Sequence, residues 1–357
     1  LYQFLSEVKI MFLENTDKLL HKKLDNQEFD SYGVLVFKDE NSEFLHSSNV
    51  NADTYFDIAS MGKVLITATL ILKAVGDKKL TIDDTLDRFF SDVPPEKKNI
   101  TIFCLLTHTS GIIRHEIPAA VAENGSAAIA RHILSFPLAF EPGTAQIYSC
   151  NAYILLGFIV EKIYGMPLDE TFYTYIKAPL GLTRSRFNIA VDEENAAVSY
   201  KRRDVGEYRA DDENVYVMKG IGGNGAQFWT MADIRRFTDA VMAKSDKLYP
   251  EWVYTAAEKD YAGSIGEAWG LGWLVTDKNY TQTGRLFPLG SFGHCGHTGC
   301  SFFMNREKNM YVIILTNATR FLNMKNNFNG YDYGVIMKMR EDIHNEIYKD
   351  LQNGGLL

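Results

Sequence analysis

Residues 61–75 read Met-Gly-Lys-Val-Leu-Ile-Thr-Ala-Thr-Leu-Ile-Leu-Lys-Ala-Val and are apolar nearly all the way round a helix. A helix without a polar face has nothing to offer water, so it must be buried on every side. Only a large core can do that. The chain supplies one, with 357 residues of which 46% are hydrophobic. That suffices for one big domain or two interlocked ones. Gly76 is well placed to end the helix.

The rest of the chain is organised around that segment. Residues 2–24 carry Phe4, Val8, Met11, Phe12 and Leu19 at helical spacing, which predicts an amphipathic surface helix. The β-branched run Tyr32–Phe37, a turn-like Asp39-Glu40-Asn41-Ser42 and Glu43–His46 predict a β-hairpin. From about 80 to 260 the pattern is helix and loop, with helices expected near Ile102–Thr107, Ala127–Ser135, Ala152–Tyr164 and Met231–Ala243. Strand signals return at Trp269–Thr276, Ser301–Asn305 and Met310–Thr316. In a closing helix, Ile336, Arg340 (through its aliphatic stem), Ile343, Ile347 and Leu351 share one face. Strands at both ends with helices between them imply an α+β fold: a sheet domain closed by its own termini, plus a helical domain. The expected division is 1–90 with 262–357 for the sheet domain and 91–261 for the helical one.

Charge excludes some partners. Lys plus Arg is 37 against 45 Asp plus Glu, a net charge of −8, and such a surface repels nucleic acid and anionic lipid. No uninterrupted stretch of 18 apolar residues occurs, so no membrane span is expected. Cys104, Cys150, Cys295 and Cys300 are too few for a disulfide framework and form no Cys-x-x-Cys pair. Reduced thiols, and with them a reducing compartment such as the cytoplasm, are the expectation. The chain opens Leu1-Tyr2-Gln3 without a methionine. An upstream segment is therefore expected to have been removed, and a lost leader or lipid anchor, hence export, stays open.

The chemistry starts with Ser-x-x-Lys. Residues i and i+3 share a helix face. A serine in the first turn sits where the helix favours negative charge, and a buried lysine loses its proton easily enough to act as a base. The motif is short and occurs twice. Ser6-Glu7-Val8-Lys9 falls on the exposed amphipathic helix, where the lysine is solvated. Ser60-Met61-Gly62-Lys63 opens the apolar helix, which supplies the desolvation. A second element, Pro142-Gly143-Thr144 through Tyr148-Ser149-Cys150-Asn151 to Gly157, puts a tyrosine ahead of another apolar helix. By itself that tyrosine reads as a packing residue. A third is Phe292-Gly293-His294-Cys295-Gly296-His297-Thr298-Gly299-Cys300-Ser301. Its His and Cys residues are candidate zinc ligands. Near-adjacent ligands on a strand point to opposite faces, however, and a strand lining a substrate cleft fits better. Gly220-Ile221-Gly222-Gly223-Asn224-Gly225 matches a dinucleotide fingerprint, but lacks the strand and βαβ context that motif needs. No Gly-x-Ser-x-Gly elbow occurs.

Taken together, these pieces resemble the class C β-lactamase-like serine hydrolases, a family of β-lactamases, penicillin-binding proteins, D-amino-acid peptidases and carboxylesterases. Phe56–Lys63 is similar to its nucleophile motif. Leu105-Leu106-Thr107-His108-Thr109-Ser110-Gly111 is similar to a frequent family segment. Pro142–Gly157 resembles its Tyr-x-Asn region, and Phe292–Ser301 its Lys-Thr-Gly or His-x-Gly strand. Asp212–Asn214 through the Gly-rich loop to Asp233 also resembles family text. The resemblance runs from about Gly33 to Thr316. It implies an antiparallel sheet flanked by N- and C-terminal helices, an inserted helical domain, and a site in the cleft between them.

It also implies roles. Ser60 would attack a carbonyl and form an acyl-enzyme, and Lys63 would take its proton. Tyr148, as phenolate or hydroxyl, would relay that proton to the leaving group. The backbone N–H groups of Ser60 and His297, beside Gly296, would form the oxyanion hole. His294 would stand where lactamases carry lysine, binding a substrate carboxylate or supporting Tyr148. The chain departs from the pattern twice. Cys150 replaces the Asn of Tyr-x-Asn, and a thiol cannot both donate and accept as a carboxamide does; Asn151 is the candidate substitute. His294 replaces a fixed cation with a group largely neutral near pH 7. Both changes point from β-lactamase towards an esterase or D-amino-acid peptidase. Cys150 and Cys295 facing one cleft as a redox pair is a further possibility to test. The expectation is a cofactor-free, metal-free serine hydrolase with a small-molecule or peptide substrate. The alternatives are a β-lactamase or penicillin-sensitive D-Ala-D-Ala carboxypeptidase, and a non-catalytic binding or sensor relative.

Overall fold

A computed structural model describes residues 13–190, 193–197, 199, 207–208, 211–280, 282–325 and 332–357. The Ser6/Lys9 copy of the motif and the first half of the amphipathic helix lie outside the described residues. The second half of that helix is α1, Glu14–Asp25. The main strands are β1 (Tyr32–Lys38), β2 (Asn41–His46), β3 (Tyr55–Asp57), β4 (Ala196–Ala197), β5 (Phe228–Thr230), β6 (Leu274–Val275), β7 (Phe292–Cys295), β8 (Ser301–Asn305) and β9 (Met310–Thr316).

Among the described residues, six of these form one antiparallel sheet in the order β2-β1-β9-β8-β7-β6. The first strand pairs with the last, Tyr32 opposite Thr316 and Lys38 opposite Met310. Residues in these strands alternate between two cores. Val34, Val36, Val312 and Ile314 face one side with the terminal helices. Leu35, Phe302, Ile313 and Leu315 face the other. A sheet covered on both faces reads as near-continuous apolar sequence, which is why Met310–Thr316 lacks polar alternation. Only Leu274–Val275 of the expected strand over 269–276 joins the sheet, with Trp269 bridging back to Leu274.

The closing helix, α7 (Tyr333–Asn353), lies on the sheet beside α1. Ile336, Ile343, Ile347 and Leu351 are buried, each worth roughly 1.5–3 kcal/mol on leaving water. Asp350 fixes α1 to α7 by accepting hydrogen bonds from the Asn15 amide (2.7 Å), the Thr16 N–H (2.8 Å) and the Thr16 hydroxyl (2.8 Å).

On the other face, the apolar segment is buried as its sequence demands, with Val64, Leu65, Ile66, Leu70 and Ile71 at 0% exposure. It is not one regular α-helix. A 3₁₀ turn (Ala59–Met61) leads into a π-helical turn (Lys63–Ala68) and then α2 (Thr69–Gly76). The Thr69 hydroxyl donates to the Val64 carbonyl five residues back (2.7 Å), which holds the wide turn open. Such π-bulges concentrate at functional sites. Counted as one helix, Ala59–Gly76 is long and apolar enough to cross a membrane, although 78% of it is buried inside this fold. Helix α4 (Cys150–Tyr164) packs directly on it and α3 (Ile102–Leu106) on α4; α5 (Glu213–Val217) and α6 (Met231–Met242) follow in the same helical region. One continuous core includes Leu35 and Ile313 of the sheet with Ile66, Leu155 and Phe237 of the helices.

Candidate active site

Strand β3 ends where Ser60 begins its turn, and the backbone there is held from both sides. Ala59 adopts φ +47°, a left-handed conformation that costs a non-glycine residue energy. Its N–H donates to Asp57 Oδ1 (2.9 Å), and its carbonyl accepts the Ala226 N–H (2.8 Å). The Asp57 carbonyl accepts the Thr298 hydroxyl (2.7 Å). The strain is thus clamped by hydrogen bonds from the Gly-rich loop on one side and the segment after β7 on the other.

Lys63 follows one turn later and is fully buried. Its Nζ lies 2.9 Å from Ser60 Oγ and 3.5 Å from Cys150 Sγ, and donates to the Asn224 carbonyl. Burial pushes its pKa down, and the Arg114 cation adds to that. The Cys150 thiol and Asp212 act in the opposite direction without overcoming it. The distance to Ser60 Oγ and the lowered pKa both suit this amine to taking up a proton.

Tyr148 stands over Lys63, with Nζ 4.9 Å from the ring centre. A third of the residue reaches solvent (36%), while its hydroxyl end is enclosed and interacts with Ser60. Burial and the neighbouring Cys150 thiol hold the phenol pKa well above its usual value, against the Ser60 hydrogen bond. At neutral pH the group is therefore a hydroxyl, which favours that form over the phenolate. Ser149 caps α4 by accepting the Ala152 N–H (3.1 Å) and donates its own N–H to His108 Nδ1 (3.1 Å). His108 is buried with its ring 4.6 Å from Tyr148, 4.5 Å from Trp269 and 5.0 Å from Tyr153. Burial above all, with Lys63 and His294 beside it, holds its pKa well below the usual value. Sequence reasoning gave His108 no role beyond its place in a familiar segment. Its φ of +59° and its bond to Ser149 show a residue that sets the backbone carrying Tyr148.

The strand β7 and its exit form the opposite wall. His294 is 2% exposed, and its Nδ1–H donates to the Cys295 carbonyl (2.7 Å). Burial and Lys63 push its pKa to about 3. Its ring lies 6.2 Å from the Tyr148 ring, and burial disfavours the cation that would meet a substrate carboxylate. Gly296 packs so closely that a Cβ would meet the Ile58 carbonyl at 2.5 Å. The close approach brings the Gly296–His297 peptide against the turn carrying Ser60. Among the described residues no acceptor takes the His297 N–H. The His297 ring sits 3.5 Å from Asp211; burial lowers its pKa, but the Asp211, Asp57 and Asp212 carboxylates outweigh that and raise it.

The cysteines of this region and Asn151 turn to separate partners. Cys295 points to the opposite sheet face, 3.2 Å from the Tyr280 hydroxyl, so it forms no cleft pair with Cys150. Cys300 turns to the Asp57 and Thr316 carbonyls, and the His/Cys cluster is dispersed rather than convergent. Asn151, one position along α4, is rotated about 100° from Cys150. It donates to the His115 carbonyl (3.2 Å) and accepts from Asn214 (3.4 Å), so its carboxamide is engaged within the protein.

The Gly-rich stretch 220–225 proves to belong to the site for a reason unrelated to nucleotides. It follows helix α5, not a strand. A Cβ on Gly223 would meet the Tyr153 carbonyl at 2.2 Å, and one on Gly225 (φ +117°) the Ala59 carbonyl at 2.4 Å. Glycines let the loop touch both helices, so that Asn224 can reach Lys63.

Known proteins share this arrangement of chain. A family model described as β-lactamase matches residues 16–328. A curated relative named "Putative D-alanyl-D-alanine carboxypeptidase", from Escherichia coli (strain K12), is 27% identical over 300 residues, covering 74% of this chain and 69% of its own. Among solved structures, a β-lactamase/D-alanine carboxypeptidase from Pseudomonas syringae superposes with TM-score 0.73 at 17% identity, over 94% of this chain and 98% of that one. EstCE1, a hydrolase with promiscuous acyltransferase activity, gives 0.70 at 19%, over 93% and 98%. The family match runs from α1 through β9, and the chain is accordingly a hydrolase of the β-lactamase family, built on the fold shared with penicillin-binding proteins.

Proposed function

We propose that this protein hydrolyses esters or D-amino-acid amides through an acyl-enzyme on Ser60. The observation that carries the reading is the Lys63 amine, wholly buried and 2.9 Å from Ser60 Oγ. As the serine attacks, its proton passes to Lys63, whose ammonium is then held by the Asn224 carbonyl. The Tyr148 hydroxyl, next to both, passes a proton on to the leaving group. The carbonyl oxygen takes its charge to the N–H groups of Ser60 and His297, donors of a kind worth about 3 kcal/mol each in a transition state. Water then attacks along the same relay.

The ester preference rests on what the cleft lacks. With Cys150 in place of a carboxamide and His294 neutral, neither a substrate amide nor an acidic carboxylate meets its usual partner. The relative's printed name favours a D-alanyl-D-alanine carboxypeptidase as the second reading.

Intact-protein mass after incubation with a p-nitrophenyl ester, a penicillin and a D-Ala-D-Ala peptide separates the two, with Ser60→Ala run alongside. The expected result is ester turnover that falls at least about 10³-fold in Ser60→Ala. A lasting penicillin adduct with peptide turnover would favour the carboxypeptidase. Equal inertness of wild type and variant towards all three would sink both.

A further inference from the structure

Arg340 lies on α7, behind the sheet, with its guanidinium as buried as its stem (0% exposed). Sequence patterning assigned only the aliphatic stem to the core. A buried cation is retained at a substantial desolvation cost, so its hydrogen bonds are informative. Nη1 donates to the carbonyls of Gly296 (2.7 Å) and Cys300 (3.2 Å). Nη2 donates to the Tyr333 hydroxyl (2.6 Å) and to the Gln282 carboxamide. No carboxylate pairs with it among the described residues, and the groups around it are neutral phenols and a thiol, Tyr280, Tyr333 and Cys295.

The Gly296 carbonyl and the His297 N–H belong to one peptide unit. In a planar trans peptide they point in opposite directions. Arg340 therefore holds this unit by its oxygen, from behind, and leaves the N–H facing away from α7. The Gly299 N–H donates to the same oxygen (3.1 Å), which fixes the peptide plane a second time. A full positive charge on the carbonyl also draws electron density from the amide nitrogen. Hydrogen bonds chained through one polarised group strengthen each other by roughly 10–30%.

We propose that Arg340 is a positioning residue for the oxyanion hole: through the Gly296 carbonyl it sets the orientation and donor strength of the His297 N–H. The proposal rests on Ser60 being the acylated nucleophile. It concerns the charge that develops on the substrate oxygen, so its signature is a loss in the acylation rate and not in ground-state binding.

The test is the rate of Ser60 acylation by a p-nitrophenyl ester, with adduct formation followed by intact mass. Arg340→Ala and Arg340→Lys are compared with wild type, and melting temperature is recorded for each. Lysine keeps the charge but not the fork that spans two carbonyls. In Arg340→Lys, acylation at saturation should fall about 10- to 100-fold, at or below the loss of one oxyanion donor, with KM changed less than about threefold. In Arg340→Ala, millimolar ethylguanidinium should restore acylation, and it should do nothing for Ser60→Ala. If Arg340→Ala does not fold, Arg340→Lys decides alone. Wild-type acylation by folded Arg340→Lys, or a change confined to KM or to melting temperature, overturns the proposal while leaving Ser60 as nucleophile. A wild type that forms no adduct at Ser60 overturns both.

Discussion

Cys150 touches the Lys63 amine at 3.5 Å, in the position where the family pattern has a carboxamide. A thiol can take the lysine's hydrogen bond but cannot also present a donor and an acceptor to a substrate amide. Cys150→Asn should therefore raise acylation by amide substrates relative to esters by about tenfold, a modest specificity change of the kind one polar contact brings. An unchanged ratio of the two rates would show that residue 150 does not meet the substrate. The charged rim makes a second prediction. Asp212 raises and Arg114 lowers the Lys63 pKa, and the base works only when neutral. The rising limb of kcat/KM against pH should move to lower pH in Asp212→Asn and to higher pH in Arg114→Gln. Limbs that do not move would assign the titration to another group. The pairing of Ser60 with Lys63 was legible because both open an apolar helix, whereas Tyr148, by itself a packing residue, was singled out only by the family resemblance. His108, Asn224 and Arg340 were not legible, because each acts through a backbone group distant in sequence, and no local pattern encodes such a partner.

At the scale of elements, the cleft depends on backbone approach more than on side chains. The loop at Gly223 meets α4 at Gly157 and the Tyr153 carbonyl, and through Asn224 it holds Lys63. Gly223→Ala should cost roughly 1–3 kcal/mol by overpacking, visible as a lower urea midpoint. In the fraction that remains folded, hydrolysis should fall too, since Asn224 is displaced. Stability lost without any change in turnover per folded molecule would separate the loop from the chemistry. The sequence shows these glycines plainly, yet as a motif for something else. A glycine signals only that backbone must come close, and what it approaches is decided in three dimensions. The π turn at Lys63–Ala68 was hidden for a related reason: an all-apolar segment has no stripe whose drift would betray a widened turn.

For the whole molecule, the two-sided sheet and its closure by terminal helices follow from apolar runs at both ends of the chain, and they were legible at that level. The single core shared by sheet and helices was not, since composition does not show which buried faces meet. Several histidines inside this fold are held neutral by burial: His108 well below its usual pKa, and His294 and His344 near 3. Below about pH 6.5 the unfolded chain takes up protons that the folded one refuses. These three rings make stability fall with decreasing pH, by up to about 1.4 kcal/mol per pH unit for each, offset in part by His297, whose pKa the carboxylates around it raise. Urea midpoints at pH 7, 6 and 5 should drop accordingly. His344, packed against Phe287 and Phe303, offers the control: His344→Phe should flatten the decline, whereas an equally steep decline would exclude burial of that ring as a cause. The pairing of Tyr32 with Thr316 has a consequence for the newly made protein. During synthesis Ser60 emerges well before the strand β7 that faces it and the helix α7 that anchors that strand. Each newly made chain thus closes the cleft around Ser60 only when the strand ending at Thr316 has folded back onto the one starting at Tyr32.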